Sequence, residues 1–137
     1  EINFIIAGSN PSNDFLIYLK KYQKLEIFPN FNSLEEVIPK NSVFISPIMK
    51  GAGMKVKVAD ALSMNLPIIA SEESLVGYEK ALEDIMSKNV IFKFNSKNDL
   101  LNIIEYVYNN YNKINVNSES RKLFDKYYNL NNWKIKL

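Results

Sequence analysis

Short apolar runs alternate along the chain with amphipathic segments. Runs of about five residues with few polar interruptions predict strands that are buried on both faces. They lie at residues 2–7, 25–28, 42–46, 67–71 and 89–94. Between them, apolar residues recur at spacings of three and four, which predicts helices with one face on a core. These helices are predicted at residues 14–22, 33–38, 54–64, 77–86, 96–111 and 121–128.

This order of elements indicates a fold class. Strands that alternate with helices and are apolar on both faces are typical of a parallel sheet covered by helices on each side. We therefore expect an α/β fold, a Rossmann-like three-layer sandwich with a parallel sheet of about five strands. No repeat or linker interrupts the pattern, so residues 1–137 are expected to form a single domain. Ligands of such sheets bind beyond the carboxyl ends of the strands, here after Ala7, Phe28, Ser46 and Ser71.

Composition narrows the chemistry that this fold can perform. The 137 residues include no cysteine and no histidine, which excludes thiol nucleophiles, Ser-His pairs and the usual Cys/His zinc sites. The net charge of +2 is too small for the dense basic face of a duplex-binding protein, so we expect no nucleic-acid partner. The apolar run at residues 4–7 is far shorter than a membrane helix, which favours a cytoplasmic chain.

The loop after Ser46 is the strongest candidate for a binding site. Gly51 and Gly53 allow the backbone to approach a ligand closely, and the helix predicted from residue 54 would direct its free N–H groups to the same place. A cation in the first turn of a helix is unfavourable unless an anion is bound there. Lys55 at this position therefore predicts a phosphate-binding site.

The predicted helix would also place a carboxylate, that of Asp60, on the same side as this loop. Seven residues advance a helix by about 700°, so Gly53 and Asp60 would lie on one face, with Lys57 about 60° from Asp60. A carboxylate two turns below a phosphate site could accept hydrogen bonds from a ribose diol. An exposed ion pair between Lys57 and Asp60 is the alternative interpretation of the same spacing.

Several segments resemble one enzyme family. Residues 50–71, which include Gly51-Ala-Gly-Met-Lys-Val-Lys57, resemble the donor-site segment of the GT-B retaining glycosyltransferases of group 1, family 4-like, whose C-terminal domains share a Glu-x7-Glu pattern. Residues 4–11 resemble that family's second C-domain strand with its Gly-Pro turn, and residues 27–34 its strand and turn beside the nucleotide base. Residues 127–133 resemble its aromatic and tryptophan ending. The resemblance implies a C-terminal nucleotide-sugar-binding domain that lacks its first βα unit.

The resemblance also implies roles for individual residues. Lys55 would be the catalytic residue, because its charge would stabilise the departing diphosphate. Residues 51–55 would hold that diphosphate, Asp60 would bind the ribose and Phe31 would lie near the base. The implied donor-binding positions are Gly51, Ala52, Gly53, Met54, Lys57, Asp60, Gly8 and Phe31. No metal and no cofactor are expected, since the substrate is itself the nucleoside diphosphate sugar.

Two departures from the family pattern favour other interpretations. Ala52 stands where the first motif glutamate is expected, and Asp60 is one methylene shorter than the second. Phe31 after a strand more often packs in a core, and Gly8 more often serves a turn. The segment with Glu72, Glu73 and Gly77 is expected to be a solvated loop, although it could contact a sugar.

The resemblance implies a transferase that moves a sugar from a nucleoside diphosphate donor to a saccharide or lipid-linked acceptor in polysaccharide biosynthesis. A missing N-terminal domain would recognise the acceptor, so we expect the fragment to be inactive alone. We expect it in the cytoplasm, with the inner membrane face as an alternative for the full-length enzyme. The alternative function is a non-catalytic nucleotide or sugar-phosphate-binding module, which the missing glutamate favours. A signalling domain and a dinucleotide-dependent oxidoreductase fit less well, because the turn after the first strand has neither a carboxylate nor Gly-x-Gly-x-x-Gly.

Overall fold

The computed structural model describes residues 1–133, with side chains up to Asn131. The chain divides into two compact units, Glu1–Lys40 and Asn41–Leu137. The side chain of Trp133, which belongs to the aromatic ending noted above, lies outside the described residues.

The first unit is a β-α-β segment followed by a short helix. Its elements are β1 (Phe4–Gly8), α1 (Asn13–Leu19), β2 (Leu25–Pro29) and α2 (Leu34–Val37). The two strands pair in parallel, with Phe4 opposite Leu25 and Gly8 opposite Pro29. Ser12 begins α1, because its hydroxyl accepts a hydrogen bond from the amide of Phe15 at 3.2 Å.

The second unit is built on three parallel strands. Its strands are β3 (Phe44–Ser46), β4 (Ile68–Ser71) and β5 (Ile91–Phe94), and β4 lies between the other two. Its helices are α3 (Val56–Ser63), α4 (Glu79–Glu83), α5 (Lys97–Asn110), α6 (Glu119–Tyr127) and α7 (Leu130–Trp133). Short 3₁₀ turns lie at Glu73–Leu75, Ile85–Asn89 and Tyr111–Lys113.

The core of the second unit surrounds β4, whose four residues are all buried. Val58 and Leu62 place the apolar side of α3 in this core, and α3 contacts β3, β4 and α6. Helix α5 contributes Val107, which packs with Ile69 and Phe94. Burial of β4 on both sides explains why its sequence is a continuous apolar run.

The α/β class and the parallel strands are confirmed. Every strand and helix predicted from the hydrophobic pattern is present, with bounds within three residues of those predicted, and α7 is additional. The five strands form a two-stranded and a three-stranded sheet, where the pattern suggested a single one. An apolar run predicts that a strand is buried but does not specify which other strand it pairs with. Within residues 1–133, no helix has the length and apolar character needed to cross a bilayer.

Candidate anion-binding site

Three buried serines connect the carboxyl ends of β3 and β4. Ser46 and Ser71 are the last residues of these strands, and Ser74 lies in the turn after β4. The hydroxyl of Ser46 donates to that of Ser74 at 2.9 Å, and Ser74 donates in return to the carbonyl of Ser46 at 2.8 Å. Ser71 donates to the carbonyl of Ile48. These bonds attach the start of the loop after β3 to the turn after β4.

A tyrosine hydroxyl fixes the first turn of α3. The hydroxyl of Tyr78 donates to the carbonyl of Lys55 at 2.7 Å and accepts from the amide of Ala59 at 2.9 Å. In an ordinary helix this carbonyl and this amide, four residues apart, would bond to each other directly. Here the Tyr78 hydroxyl bridges them. Tyr78 is fully buried, and burial raises the pKa of its phenol to about 12. At neutral pH the phenol keeps its proton and can serve both partners.

Helix α3 begins at Val56, with Lys55 as its N-cap residue. The predicted start at residue 54 is therefore wrong, and so is the placement of Lys55 in the first turn. Gly53 lies outside the helix, so the predicted alignment of Gly53 and Asp60 on one helical face does not exist. The cause is the backbone of Lys55, which is extended, with φ −87° and ψ 100°, and therefore cannot belong to a helical turn.

The loop offers a series of backbone donors. Gly51, Ala52, Gly53 and Met54 are exposed. The N–H groups of residues 51–57 form no hydrogen bond to another residue in the described part of the chain. Those of residues 56 and 57 belong to the first turn of α3, where helices leave their amides unpaired. The result is a solvent-accessible loop and helix end with free donors, as anion sites in proteins have.

The ammonium of Lys55 is folded back onto this loop. It donates to the carbonyl of Gly53 at 2.7 Å and lies 3.1 Å from Oε1 of Glu73, with the carbonyl of Ala52 at 3.4 Å. A Cβ atom at residue 51 would lie 3.3 Å from Cε and Nζ of this lysine, so Gly51 leaves room for the side chain. The ammonium of Lys55 thus connects the backbone of the loop to the carboxylate of Glu73.

Lys57 and Asp60 form an ion pair on the surface of α3. Their Nζ and Oδ2 atoms are 3.0 Å apart, and the lysine side chain is 69% exposed. This is the exposed ion pair that the sequence offered as an alternative. A pair so open to water stabilises a helix by only a few tenths of a kcal/mol, so both side chains can change partners at little cost. The role of Asp60 toward a ribose stays a prediction.

Met54, in the loop after β3, packs against Gly77, in the segment after β4, and this is a second contact between the two loops. Gly77 has a φ of +90°, and a Cβ atom there would lie 3.0 Å from Cβ and Cγ of Met54. Met54 therefore contacts the turn before α4, and it remains 42% exposed. Met54 precedes α3 and therefore lies in the loop, not in the helix that was predicted from residue 54.

The two acidic residues after β4 have different surroundings. Glu72 is exposed, as expected for a solvated loop, and lies 3.7 Å from Lys93. Glu73 is largely buried and pairs with Lys55, so the expectation of a solvated loop is wrong for this residue. Its Oε1 would lie 3.7 Å from a Cβ atom at residue 51. The carboxylate of Glu73 thus reaches the glycine loop from the turn after β4. The loop itself has no carboxylate, because Ala52 stands where the first motif glutamate is expected.

Gly8 and Phe31 lie in the first unit. Gly8 ends β1, is exposed, and has open space where a side chain would be. Its carbonyl accepts a hydrogen bond from the amide of Asn30 at 2.9 Å. Phe31 follows β2 and is half-buried. These positions agree with a turn glycine and a packed aromatic, and the roles of both residues in ligand binding stay predictions.

The sequence alone did not reveal Ser46, Ser74 and Tyr78 as parts of the site. The one available signal was position, since Ser46 ends a predicted strand that precedes a ligand-binding loop. Among the described residues, no group of three or more carboxylates is placed to hold a metal ion.

Comparison with protein families gives one match. The model of a family described as "Glycosyl transferases group 1" matches residues 1–110, which include every residue of the loop and of α3. Comparisons with curated proteins and with solved structures found no match.

Proposed function

The chain belongs to the glycosyl transferases of group 1, and on this premise we propose that residues 51–57 bind the diphosphate of a nucleoside diphosphate sugar. Membership in the family makes this a glycosyltransferase-type domain, whose substrates are a sugar donor and an acceptor. The choice of a nucleotide-linked donor is the part that we propose.

The observation that carries this proposal is the free donor series of the loop. The unpaired N–H groups of residues 51–57, the amino end of α3 and two lysines lie within one short segment. A diphosphate has many acceptor oxygens and a high negative charge, so it complements both the amides and the helix dipole. Hydrogen bonds of the buried serines and of the Tyr78 hydroxyl connect the loop after β3 and the start of α3 to the segment after β4. These bonds hold the donors in place before a ligand binds.

Such a site would promote sugar transfer by electrostatic stabilisation. When the bond between sugar and diphosphate breaks, negative charge grows on the leaving group, and fixed donors stabilise that charge without reorganising. Lys55 is the proposed catalytic residue and Lys57 the second cation. Asp60 is proposed to bind the ribose, with Gly8 and Phe31 in the nucleotide site. The mechanism requires no metal and no cofactor.

The wider reaction is also a proposal. The acceptor would be a saccharide or a lipid-linked acceptor, bound by an N-terminal domain, and residues 1–137 would be the donor-binding domain. The reaction would take place in the cytoplasm, within polysaccharide biosynthesis. Without the acceptor-binding part, the 137 residues would bind the donor but would not transfer the sugar.

One observation favours a non-catalytic binding module instead. Ala52 occupies the position of the first motif glutamate, so the loop itself has no carboxylate there. A module of this kind would bind the nucleotide or a sugar phosphate with the same amides. Slow hydrolysis of a nucleotide sugar, or transfer when the full-length protein is supplied with an acceptor, would support the enzyme over the module.

Titration of the ¹⁵N-labelled protein with UDP, GDP and ADP tests the binding site. We expect the amide signals of residues 51–57 to shift with at least one of these ligands, and Lys55→Ala to weaken binding about tenfold, as loss of one charged contact does. Lys122→Ala is the matched control, because it removes the same charge from an exposed position on α6. If no amide in the loop shifts at millimolar ligand, the proposal is wrong.

A further inference from the structure

The ammonium of Lys55 has no free donor. Its partners are Glu73 at 3.1 Å, the carbonyl of Gly53 at 2.7 Å and the carbonyl of Ala52 at 3.4 Å. An ammonium has three protons, so these three acceptors use them all. The lysine and glutamate side chains are only 13% and 28% exposed, and water therefore screens the pair weakly. While this pair is intact, Lys55 has no proton left for a phosphate.

Glu73 reaches the loop from a firmly held turn. It begins the 3₁₀ turn Glu73–Leu75, and the next amide, that of Ser74, donates to the buried hydroxyl of Ser71 at 3.2 Å. The backbone of Glu73 is thereby fixed next to β4. Its carboxylate extends to the glycine loop, where Oε1 would lie 3.7 Å from a Cβ atom at residue 51. The carboxylate consequently lies beside the segment that we propose as the diphosphate site.

We propose that Glu73 is an internal counterion of Lys55, and that the diphosphate of the donor takes its place. This inference rests on the proposed function. Glu73 supplies one negative charge to Lys55 and accepts no hydrogen bond from the free amides of the loop. A diphosphate brings more charge and can also accept from the amides of residues 51–57, so it can compete for the ammonium. Glu73 is thus a positioning residue, which keeps Lys55 at the loop in the absence of ligand and weakens ligand binding.

Whether Glu73→Gln raises or lowers the affinity for UDP tests this proposal. Glu73→Gln keeps the size of the side chain and removes the competing charge, so we expect the affinity for UDP, measured by calorimetry or NMR titration, to rise about three- to tenfold. A purely structural role for the ion pair predicts the opposite, because a loosened loop would bind more weakly.

Glu72→Gln is the matched control. It removes the same charge from the adjacent residue, which is 79% exposed and paired with Lys93. We expect it to change the affinity by less than about twofold, since an exposed charge is well screened. An equal gain in both variants would mean that net charge alone is responsible and would overturn the proposal.

Two further measurements depend on Lys55 itself. In the Lys55→Ala background, Glu73→Gln is expected to give no gain in affinity, because the ammonium that the two anions share is absent. In the wild-type protein, the Nζ signal of Lys55 is expected to shift when UDP binds. This second measurement requires no variant, so it remains decisive if Glu73→Gln does not fold.

The possible failures can be told apart. If the wild-type protein binds none of UDP, GDP and ADP, the proposed function and this inference are both wrong. If it binds UDP but Glu73→Gln binds equally or more weakly, only this inference is overturned. The same holds if the loop amides shift on binding while the Nζ signal of Lys55 does not.

Discussion

Replacing Tyr78 with phenylalanine removes a single oxygen atom that connects the two loops of the site. That oxygen bonds to the carbonyl of Lys55 at 2.7 Å and to the amide of Ala59 at 2.9 Å. The ring itself is fully buried and remains in place in Tyr78→Phe. The substitution therefore tests the hydroxyl bridge separately from the packing of the core.

The expected loss of stability follows from these two bonds. Each hydrogen bond contributes a net of about 0.5–1.5 kcal/mol. The carbonyl of Lys55 and the amide of Ala59 are four residues apart, so they can form an ordinary helical bond once the hydroxyl is gone. This recovers part of the loss, and we expect the free energy of unfolding to fall by about 1–2 kcal/mol.

Urea unfolding followed by circular dichroism measures this change, and hydrogen exchange locates it. The amide of Ala59 should exchange faster in Tyr78→Phe, because the helical bond that replaces the hydroxyl recovers only part of the lost stability. Tyr106→Phe is the matched control, since the Tyr106 side chain is 54% exposed. A loss in Tyr78→Phe no larger than in the control would refute the assigned role of the hydroxyl.

The same residue predicts a dependence on alkaline pH. The pKa of Tyr78 rises from 10.0 to about 12 because burial disfavours the phenolate. A pKa that is higher in the folded state contributes stability that is complete below pH 10 and is lost as the pH rises through 12. Tyr78→Phe has no phenol to ionise, so it should lack this loss of stability at alkaline pH. The stability of the variant should consequently fall less steeply above pH 10 than that of the wild type.

Further predictions concern positions outside the hydroxyl bridge. Gly77→Ala should lower the free energy of unfolding by about 1–3 kcal/mol, because φ is +90° and the new Cβ would lie 3.0 Å from Met54. Gly8→Ala, with open space and no positive φ, should change it by less than about 0.5 kcal/mol in the same denaturation assay. Lys126 holds the pKa of Asp84 down at about 2, so this carboxylate should stabilise the fold above pH 3.8 and lose that effect as the pH falls through 2. Acid unfolding of Asp84→Asn should therefore show a weaker pH dependence between pH 4 and pH 2, and an unchanged slope would contradict the assignment.

The sequence predicted the elements well because they depend on local periodicity. The continuous apolar run at Ile68–Ser71 reflects a strand that is buried on both sides, and the spacing in α5 reflects one face on the core. The same approach misplaced the start of α3 by two residues. Apolar spacing continues through Met54 whether or not the backbone is helical, and the extended backbone of Lys55 decides the boundary.

The sequence by itself therefore determined the fold class, the order of the elements and the loop to examine. A glycine-rich loop with two lysines after an apolar strand is a local pattern, and such patterns are present in the printed sequence. The tertiary structure decided how the residues of that loop are used. Lys55 meets Glu73 across 18 positions, Tyr78 meets Ala59 across 19, and Ser46 meets Ser74 across 28. Contacts at such separations form only when β3 and β4 pair, so no local pattern could have predicted that Lys55 has a counterion within the protein.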